Sequence, residues 1–333
     1  MIAPKSVFDR PLNLLVLMGG PSSERAVSLA SGETVAAALE SCGHLVRRKD
    51  ISPDDLSAFE GPTPDAVFIA MHGAFGEDGQ VQRLCERRGL TYVGSGPRAS
   101  ALAMDKAASK AAYRSAGLMT PDWVVLTSED APSRRKELLG RIGLPCALKP
   151  VEAGSSVDIT LATTHVVQEK AAAELLAKYG RALVEPLIRG RELTVGVLGE
   201  RALPPLEIRP KRNFYDYTAK YITDDTEYVF DHGLEPMTVE ALQLAALSAH
   251  RALGCRDMSR SDFILDRNGV AWLLETNTIP GFTSHSLLPK TAARLGLSMP
   301  RLCETLVKLA MDRAAAATPA AGASVQRLTA APR

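Results

Sequence analysis

The chain has 333 residues and a mass of 35.6 kDa, enough for about two domains of ordinary size. Its 39 Lys and Arg residues nearly balance its 38 Asp and Glu residues, and the formal net charge of +1 excludes the overall basic field with which proteins bind nucleic acids or anionic membranes. With 46% hydrophobic and 23% charged residues, the composition also excludes a largely disordered chain.

The apolar runs are short. The best of them, Leu14 to Met18 and Ala66 to Met71, fall far below the roughly 18 residues of a membrane-spanning helix, and the N-terminus lacks the apolar stretch and cleavage site of a secretory signal. We therefore expect no membrane partner and a cytoplasmic location. The five cysteines are far apart in sequence and never form C-x-x-C, which favours neither disulfides nor a zinc site.

The first hundred residues alternate between strand and helix patterns. Strands are predicted at 12–18, 65–71 and 90–93, and helices at 25–39 and 80–88. This alternation predicts an open, mostly parallel α/β sheet, whose ligands bind beyond the carboxyl ends of the strands. Gly20 and His72 stand at such ends.

From about residue 100 the pattern becomes that of two α+β units. The central unit is predicted to contain a helix at 100–117 and then short strands at 123–126, 146–149 and 183–187, with two helical stretches between the strands. The C-terminal unit is predicted to contain β-rich segments at 193–198 and 203–208, a helix at 239–253, a two-stranded ribbon and terminal helices. We therefore expect an N-terminal α/β domain in residues 1–100, a central unit in 101–188, a C-terminal unit in 189–313 and a flexible Ala- and Pro-rich tail in 314–333.

Two acidic strands near the C-terminus give the most specific local prediction. Residues 262–277 are expected to form a β-hairpin around the Asn-Gly turn at 268–269, and pairing that is symmetric about this turn sets Asp262 opposite Glu275, with Asn277 on the same face. Two carboxylates about 5 Å apart repel unless a cation or a proton lies between them. Three oxygen-bearing side chains without His or Cys favour Mg²⁺ or Mn²⁺. A solvated ribbon of ordinary acidic residues is the alternative.

A glycine- and serine-rich loop follows the predicted strand that ends near Lys149. Gly154, Ser155 and Ser156 could close over phosphates through their backbone N–H groups, although most loops of this kind are simple turns. The loop is not a Walker A sequence. Gly19-Gly20 does not fit the G-x-G-x-x-G fingerprint, which disfavours an NAD-dependent dehydrogenase.

Eight sequence blocks resemble, in the same order, those of the ATP-grasp ligases, and within them the D-alanine–D-alanine ligases of peptidoglycan synthesis, over residues 12–312. The blocks are Gly19-Gly20-Pro-Ser-Ser-Glu24-Arg25, His72-Gly-Ala-Phe-Gly-Glu77-Asp78-Gly79, Met104-Asp105-Lys106, Lys149-Pro with Gly154-Ser155-Ser156-Val157, Tyr215-Asp-Tyr217-Thr-Ala-Lys220-Tyr221, Arg260-Ser-Asp262, Glu275-Thr-Asn277, and Pro280-Gly281-Phe-Thr-Ser-His285-Ser286-Leu287. The resemblance implies an ATP-grasp fold behind an N-terminal open parallel α/β domain. It also implies an ATP-dependent ligation of two D-alanines, through a D-alanyl phosphate, to D-alanyl-D-alanine, with release of ADP and phosphate.

The resemblance implies an ATP site between the second and third units. The implied nucleotide contacts are Lys106, Lys149 and Lys220 with Ser155 and Ser156 at the phosphates, Glu185 to Leu187 as the adenine-facing hinge strand, and Glu192 at the ribose hydroxyls. Asp262, Glu275 and Asn277 are implied to hold two Mg²⁺ or Mn²⁺ ions, the same three residues that the hairpin pattern singles out.

The resemblance also implies the contacts to the two amino acids. The implied residues are Glu24 at the ammonium of the first D-alanine with Ser155 and Tyr221 beside it, Arg260 and the Gly281 N–H at the tetrahedral oxyanion, Ser286 and the Leu287 N–H at the carboxylate of the second D-alanine, and His72 as a further substrate-binding residue. Residues 214–226 would act as a lid that excludes water. Relatives that make D-Ala-D-lactate depart from the residue at Tyr221, so D-alanine is the expected second substrate. A homodimer is also expected, because relatives commonly dimerise.

Four positions depart from the pattern of the family: Arg83, Asp158, Ser261 and Thr276. Asp158 lies beside the phosphate loop, where an extra carboxylate could weaken nucleotide binding. These departures raise one alternative, a nucleotide-binding paralogue without catalysis. A ligase that uses D-serine or D-lactate as its second substrate is a separate alternative. Glu77 belongs to one of the eight blocks, but it is equally consistent with an ordinary acidic residue at the start of a helix, without a role in the site.

Overall fold

The computed structural model describes residues 6–154, 157–210 and 226–317. Within these ranges the strands form three separate sheets, which follow one another along the chain. The first sheet uses strands from residues 13–93, the second from 124–186 and the third from 190–277. The candidate site lies where loops and strand faces from all three sheets meet.

The first sheet is entirely parallel, as the sequence predicts. Its elements are β1 (Asn13–Met18), α1 (Arg25–Ser41), β2 (Leu45–Asp50), a 3₁₀ turn (Ser57–Phe59), β3 (Ala66–Ile69), α2 (Gln80–Arg87) and β4 (Tyr92–Val93). The strand order is β2-β1-β3-β4. β2 was not predicted, because this edge strand carries the polar run Arg47 to Asp50 and lacks the apolar signal of the buried strands.

The second sheet is antiparallel, with the strand order β5-β8-β6-β7. Its strands and the helices near it are α3 (Pro97–Met104), α4 (Lys106–Ser115), β5 (Val124–Thr127), α5 (Pro132–Ile142), β6 (Cys146–Pro150), β7 (Thr160–Ala162), α6 (His165–Tyr179) and β8 (Arg181–Pro186). The prediction of one helix over residues 100–117 was wrong. The chain turns at Asp105, whose side chain accepts a hydrogen bond from the Ala108 N–H at 2.9 Å and so caps a second helix.

The third sheet is also antiparallel, with β10 attached to β9 beside the order β12-β11-β9-β13-β14. Its elements are β9 (Gly190–Leu198), β10 (Arg201–Ala202), β11 (Leu206–Pro210), β12 (Thr226–Val229), α7 (Pro236–Leu253), β13 (Met258–Asp266) and β14 (Ala271–Asn277). Leu193, Val195 and Val197 pack with α7 in one apolar core. Because strand side chains alternate, Thr194 and its cross-strand partner Asp262 point to the other face, which is turned toward the site.

The last two helices, α8 (Leu287–Arg294) and α9 (Met299–Ala317), return to the first sheet. Leu302, Leu306 and Val307 of α9 belong to the same apolar core as β1 and β3. α9 continues to Ala317, past the expected start of the tail at residue 314, and the rest of that predicted tail lies outside the described residues. Among the described helices, none has both the length and the apolar character needed to cross a bilayer.

Candidate active site

The acidic ribbon places Asp262 directly opposite Glu275, as predicted, but by a different route. Asp266 faces Val270 across a three-residue loop in which Gly269 has a φ of +78°, so pairing near the turn is shifted by one residue from the predicted symmetry. A β-bulge then inserts Leu274 as an extra residue, since Phe263 pairs with Leu273. The bulge restores the predicted register where the carboxylates lie.

The ribbon face that carries these carboxylates also carries a cation and an amide. Arg260 pairs with Asn277 across the ribbon, two residues along from the opposed carboxylates. The Arg260 guanidinium donates to both oxygens of Asp262, at 3.0 and 2.8 Å, and the Thr194 hydroxyl donates to Asp262 Oδ1 at 2.6 Å. Asp262 is therefore held by a bidentate ion pair from its own strand and by a hydrogen bond from the neighbouring strand β9.

Lys106 provides the second cation, from the first turn of α4. Its Nζ lies 3.8 Å from Glu275 Oε2 and also donates to the Ala153 carbonyl in the loop after β6. The repulsion expected between the two ribbon carboxylates is thus relieved by a different cation at each, Arg260 at Asp262 and Lys106 at Glu275.

Two buried carboxylates, Glu24 and Glu77, form the opposite wall. A Cβ atom at Gly73 or at Gly154 would lie 2.8 Å from Glu24 Oε2, so glycine at both positions lets backbone from two units approach this carboxylate. The Gly73 N–H donates to Glu77 Oε2 at 2.5 Å. Burial, and then the charge of Glu24, raise the pKa of Glu77 well above its usual range, which favours its protonated form.

The third wall is the turn that leads into α8. Ser286 is the residue before this helix, and its Oγ accepts a hydrogen bond from the Thr283 N–H at 2.9 Å. A Cβ atom at Gly281 would come within 2.6 Å of that Oγ, so this turn needs glycine. The first helical residue, Leu287, offers its N–H at a helix N-terminus, where anions are favoured.

These walls bring nine of the predicted residues into one cavity. The predicted residues that line it are Glu24, Lys106, Arg260, Asp262, Glu275, Asn277, Gly281, Ser286 and Leu287. Glu77, Met104 and His285 line it as well. Carboxylates and cations therefore line the same cavity, although the residues that supply them are spread over most of the chain.

The remaining predicted nucleotide residues lie outside this lining. Glu185 in β8 is buried and pairs with Lys149 of β6 at 2.5 Å. Leu187 follows β8, where its N–H donates to the Pro145 carbonyl at 3.0 Å and its side chain lines a separate depression with Arg191. Glu192 in β9 is partly buried and lies on the same strand face as Thr194, the partner of Asp262.

His72 lies behind the cavity and is not among the residues that line it. Its Nε2 is 3.1 Å from the hydroxyl of Ser31, which accepts a hydrogen bond from the Phe282 N–H. Burial lowers the pKa of His72 to about 4, so the imidazole is neutral. In this position His72 supports the turn at Gly281, and its contact with substrate stays a prediction. Ser155, Ser156, Lys220 and Tyr221, with most of the expected lid, lie outside the described residues.

The sequence patterns gave no role to Lys110 or Glu77. Lys110 follows Lys106 by one helical turn and looks like an ordinary solvated lysine, but it is buried and its Nζ lies 2.8 Å from Glu185 Oε2. Glu77 had a usable signal, because it follows His72 in a glycine-rich block after a predicted strand. Both are groups whose importance depends on burial rather than on residue type.

The four departures from the family pattern leave the cavity intact. Arg83 is exposed on α2. Asp158 has a φ of +54° and accepts hydrogen bonds from Lys178 and Tyr179, each at 2.5 Å. Ser261 and Thr276 hydrogen-bond to each other and lie on the ribbon face opposite to Asp262. The observations that suggested a paralogue without catalysis are thereby accounted for.

Two family profiles match the chain. The profile described as D-ala D-ala ligase N-terminus matches residues 44–95, and the profile described as D-ala D-ala ligase C-terminus matches residues 112–308. The chain belongs to the D-alanine–D-alanine ligase family. The D-alanine–D-alanine ligase of Anaeromyxobacter dehalogenans (strain 2CP-1) is 42% identical over 292 residues, which cover 88% of this chain and 94% of that protein.

Solved structures of D-alanine–D-alanine ligases have the same fold. The Bacillus anthracis D-alanine–D-alanine ligase complexed with ATP is 27% identical and superposes with a TM-score of 0.80 over 92% of this chain and 99% of that one. A D-Ala:D-Ser ligase of Enterococcus faecalis, also 27% identical, gives a TM-score of 0.80 over 90% of this chain and all of that one. The ATP-grasp fold predicted from the sequence is confirmed.

Proposed function

We propose that this chain ligates two D-alanine molecules to D-alanyl-D-alanine with the conversion of ATP to ADP and phosphate, for peptidoglycan precursor synthesis. The observation that carries the proposal is the cavity in which Asp262 and Glu275 oppose each other beside Arg260 and Lys106. A reaction that brings a phosphate and a carboxylate together needs such cations, because the two anions repel. Membership of the ligase family supports the choice of substrates.

In the first step, a carboxylate oxygen of one D-alanine attacks the γ-phosphorus of ATP and the bond to the ADP oxygen breaks. Lys106 lines the cavity, and Lys149 lies on the neighbouring strand β6. We assign both to the phosphates, with Ser155, Ser156 and Lys220 beside them as the sequence predicts. Their ammonium groups offset the negative charge that gathers as the acyl phosphate forms.

In the second step, the amine of the other D-alanine attacks the acyl carbon, and phosphate leaves after the tetrahedral intermediate collapses. The oxyanion of this intermediate needs donors that are already in place. Arg260 and the Gly281 N–H lie on two walls of the cavity, and we assign them to that oxygen. The intermediate exists only on the way to product, so these donors act mainly on the rate.

We assign the two substrates to different groups of the cavity lining. Glu24 is a buried carboxylate suited to the ammonium of the first D-alanine, whereas Ser286 and the Leu287 N–H offer donors suited to the carboxylate of the second. We keep Ser155 and Tyr221 as the predicted neighbours of Glu24. Neutral His72 would support the turn at Gly281 through the hydroxyl of Ser31.

The donor set on the ribbon fits Mg²⁺ or Mn²⁺. Asp262 and Glu275 are opposed, the Glu275 side chain is one third exposed, and all of the candidate ligands are oxygens once Asn277 is included. Among the described residues no group of three or more His, Cys, Asp or Glu is arranged to hold a metal, so phosphate oxygens would complete the coordination. When bound, two such ions would neutralise charge on the phosphates. When the metal binds, Asp262 would give up its ion pair with Arg260 and bind the metal instead.

The nucleotide base would lie along the end of β8. We assign Glu185 to Leu187 to the adenine and Glu192, on the cavity-facing side of β9, to the ribose hydroxyls. Pro186 has no N–H, and the Leu187 N–H already donates to Pro145, so neither backbone donor is available to the ring nitrogens of adenine. We assign the adenine amine to the Glu185 carboxylate, which accepts hydrogen bonds when it is ionised.

We further propose three units with boundaries near residues 100 and 188, since each sheet is confined to one of these stretches. A homodimer is the proposed assembly, and an ATP-consuming reaction of this kind is proposed for the cytoplasm. Analytical ultracentrifugation of the full chain tests the assembly. A sedimentation coefficient of a monomer at micromolar concentration would contradict it.

Product analysis tests the reaction itself. The purified chain is incubated with ATP, Mg²⁺ and D-alanine, phosphate release is followed, and the product is identified by mass spectrometry. D-alanine-dependent phosphate release with D-alanyl-D-alanine as product is expected. Folded protein that releases no phosphate would contradict the proposal, and faster mixed-product formation with D-serine or D-lactate would reassign the second substrate.

Two variants distinguish a specific role of the ribbon carboxylates from general damage to the protein. Glu275→Gln should lose most turnover because it removes one carboxylate of the metal set. Glu200→Gln changes an exposed carboxylate that pairs with Arg251 on the surface, and it should behave as the wild type. A wild-type rate for Glu275→Gln at limiting Mg²⁺ would refute the metal assignment.

A further inference from the structure

A buried cluster of three charges lies at the junction between the second sheet and α4. The Glu185 carboxylate has one lysine at each oxygen, Lys149 Nζ at 2.5 Å from Oε1 and Lys110 Nζ at 2.8 Å from Oε2. All three side chains are less than a tenth exposed. Across β6 and β8 the partner of Glu185 is Ala147, so Lys149 is its diagonal neighbour on the same face of the sheet.

Lys110 is anchored more firmly than Lys149. Its Nζ also donates to the Thr120 hydroxyl at 2.8 Å, and that hydroxyl donates in turn to the Leu273 carbonyl of β14 at 2.8 Å. The same ammonium lies 5.6 Å from the centre of the Trp123 ring. Lys110 therefore ties Glu185 to the strand that carries Glu275, and it is not among the residues that line the cavity.

The ionisation of Glu185 and of the two lysines depends on the other members of the cluster. Burial alone would raise the pKa of Glu185, but the two ammonium groups hold it below its usual range. Burial and the neighbouring Lys149 lower the pKa of Lys110 to about 8, against the pull of Glu185. An ionised carboxylate this deeply buried needs at least one cation, and a carboxylate left without one becomes protonated or turns away.

Nucleotide binding changes this balance, because phosphates attract Lys149. We propose that Lys110 is a positioning residue of the nucleotide site, which stays on Glu185 and keeps its carboxylate ionised and oriented while Lys149 turns to the phosphates. The proposal rests on the proposed function, in which Glu185 receives the adenine amine. Lys110 thereby also determines base selectivity, since an ionised carboxylate accepts hydrogen bonds but donates none.

The experiment compares ATP with ITP, which carries a carbonyl oxygen where adenine has its amine. Dissociation constants of both are measured calorimetrically on the full chain with Mg²⁺ and without D-alanine. The wild type should bind ATP at least about tenfold more tightly than ITP. Lys110→Met should weaken ATP about tenfold and ITP by less than about twofold, so that the preference disappears. Lys110→Arg, which keeps the cation, should restore most of the preference.

A double-mutant cycle distinguishes positioning from packing. If Lys110 acts through the charge of Glu185, Lys110→Met should change ATP binding by less than about twofold in a Glu185→Gln background. Equal weakening of ATP and ITP by Lys110→Met, or an undiminished effect in the Glu185→Gln background, would overturn the proposal. Lys110→Gln, which keeps a donor for Thr120 without the charge, is measured in the same way should Lys110→Met not yield folded protein.

Two controls complete the design. Lys170→Met removes an exposed lysine of α6 that lies 3.8 Å from Glu174, and it should leave both dissociation constants unchanged. A wild-type chain that binds neither nucleotide would refute the proposed function, and the role of Lys110 with it. A wild type that binds ATP and makes D-alanyl-D-alanine, combined with an unaltered Lys110→Met variant, would refute the role of Lys110 alone.

Discussion

The side chains of Ser261 and Thr276 face each other across β13 and β14, with their hydroxyl oxygens 2.9 Å apart. Both residues are buried, and both depart from the pattern of the family. Each hydroxyl satisfies the hydrogen-bonding need of the other inside the sheet. The two departures are therefore one change, made on the ribbon face that does not carry Asp262 and Glu275.

We expect this pair to be coupled in stability. Ser261→Ala or Thr276→Val alone should lower the free energy of unfolding by about 1–2 kcal/mol, because each leaves a buried hydroxyl without its partner. The double variant should lose less than the sum of the two. Urea denaturation of the four proteins measures the coupling, and strictly additive losses would show that the hydroxyls do not act together.

Asp158 should not impair nucleotide binding, because its carboxylate is directed to Lys178 and Tyr179. Hydrogen bonds from these two groups lower the pKa of Asp158. Asp158→Asn should therefore change the dissociation constant for ATP by less than about twofold, since the charge it removes is already balanced and partly screened. Lys178→Met is the informative contrast, as it leaves the carboxylate unbalanced and should weaken ATP binding at low salt. A marked gain of ATP affinity in Asp158→Asn would contradict this prediction.

The adjacent carboxyl groups Glu24 and Glu77 should respond differently to the same substitution. Because burial and the charge of Glu24 raise the pKa of Glu77 and so favour its neutral form, Glu77→Gln should keep kcat/KM within about threefold of the wild type. Glu24→Gln removes the charge assigned to the substrate ammonium and should raise the KM for D-alanine at least about tenfold. Steady-state kinetics at neutral pH decide the matter, and equal losses in both variants would mean that Glu77 works as an anion.

Arg260→Ala should reduce kcat by a factor on the order of 10²–10³ and change the KM for D-alanine much less, because the oxyanion forms only during the reaction. Arg260→Lys is the matched control. It keeps the positive charge but cannot make the two parallel hydrogen bonds that Arg260 makes to Asp262, so an intermediate rate is expected. An effect confined to KM would reassign Arg260 to substrate binding.

His250 should make the protein less stable in mild acid. Burial lowers its pKa to about 4, and its Nδ1 lies 2.7 Å from the Ser259 hydroxyl. Because the unfolded chain binds this proton near pH 6.5, the stabilisation is complete above that pH and is lost as the pH falls toward 4. Between these limits the wild type should lose about 2–3 kcal/mol more than His250→Asn. Parallel unfolding curves of the two proteins across this range would contradict the prediction.

The sequence allowed the ribbon to be predicted because turn chemistry and the two-residue period of strands are local signals. Asp262 nevertheless pairs with Glu275 only because a bulge at Leu274 compensates for the longer turn. No local sequence pattern predicts this bulge. The break between α3 and α4 did have a local signal, since Asp105 is a favourable helix cap. It was hidden by the continuous helical pattern on both sides.

What could not be predicted depends on contacts between distant segments. Lys110 becomes a buried charge only because β8 brings Glu185 against α4. The pKa of Glu77 is raised only because the fold buries this carboxyl group and places the charge of Glu24 near it. Environment determines the pKa of such groups, and residue type alone does not. Nine of the residues predicted from motif resemblance therefore line the cavity, while the buried charge of Lys110 was missed.

The packing of α9 against the first sheet imposes an order on biosynthesis. Glu304 of this helix is fully buried and accepts hydrogen bonds from the hydroxyl of Ser6 and the N–H of Val7, and its Oε1 lies 3.2 Å from His44 Nε2. A ribosome releases the N-terminal strands first and α9 only after all three sheets, so the earliest sheet must wait for a much later segment to complete its core. Nascent chains arrested before residue 299 should accordingly be protease-sensitive in their N-terminal part. The loops of the first sheet that line the cavity therefore gain their full support only after α9 has been synthesised.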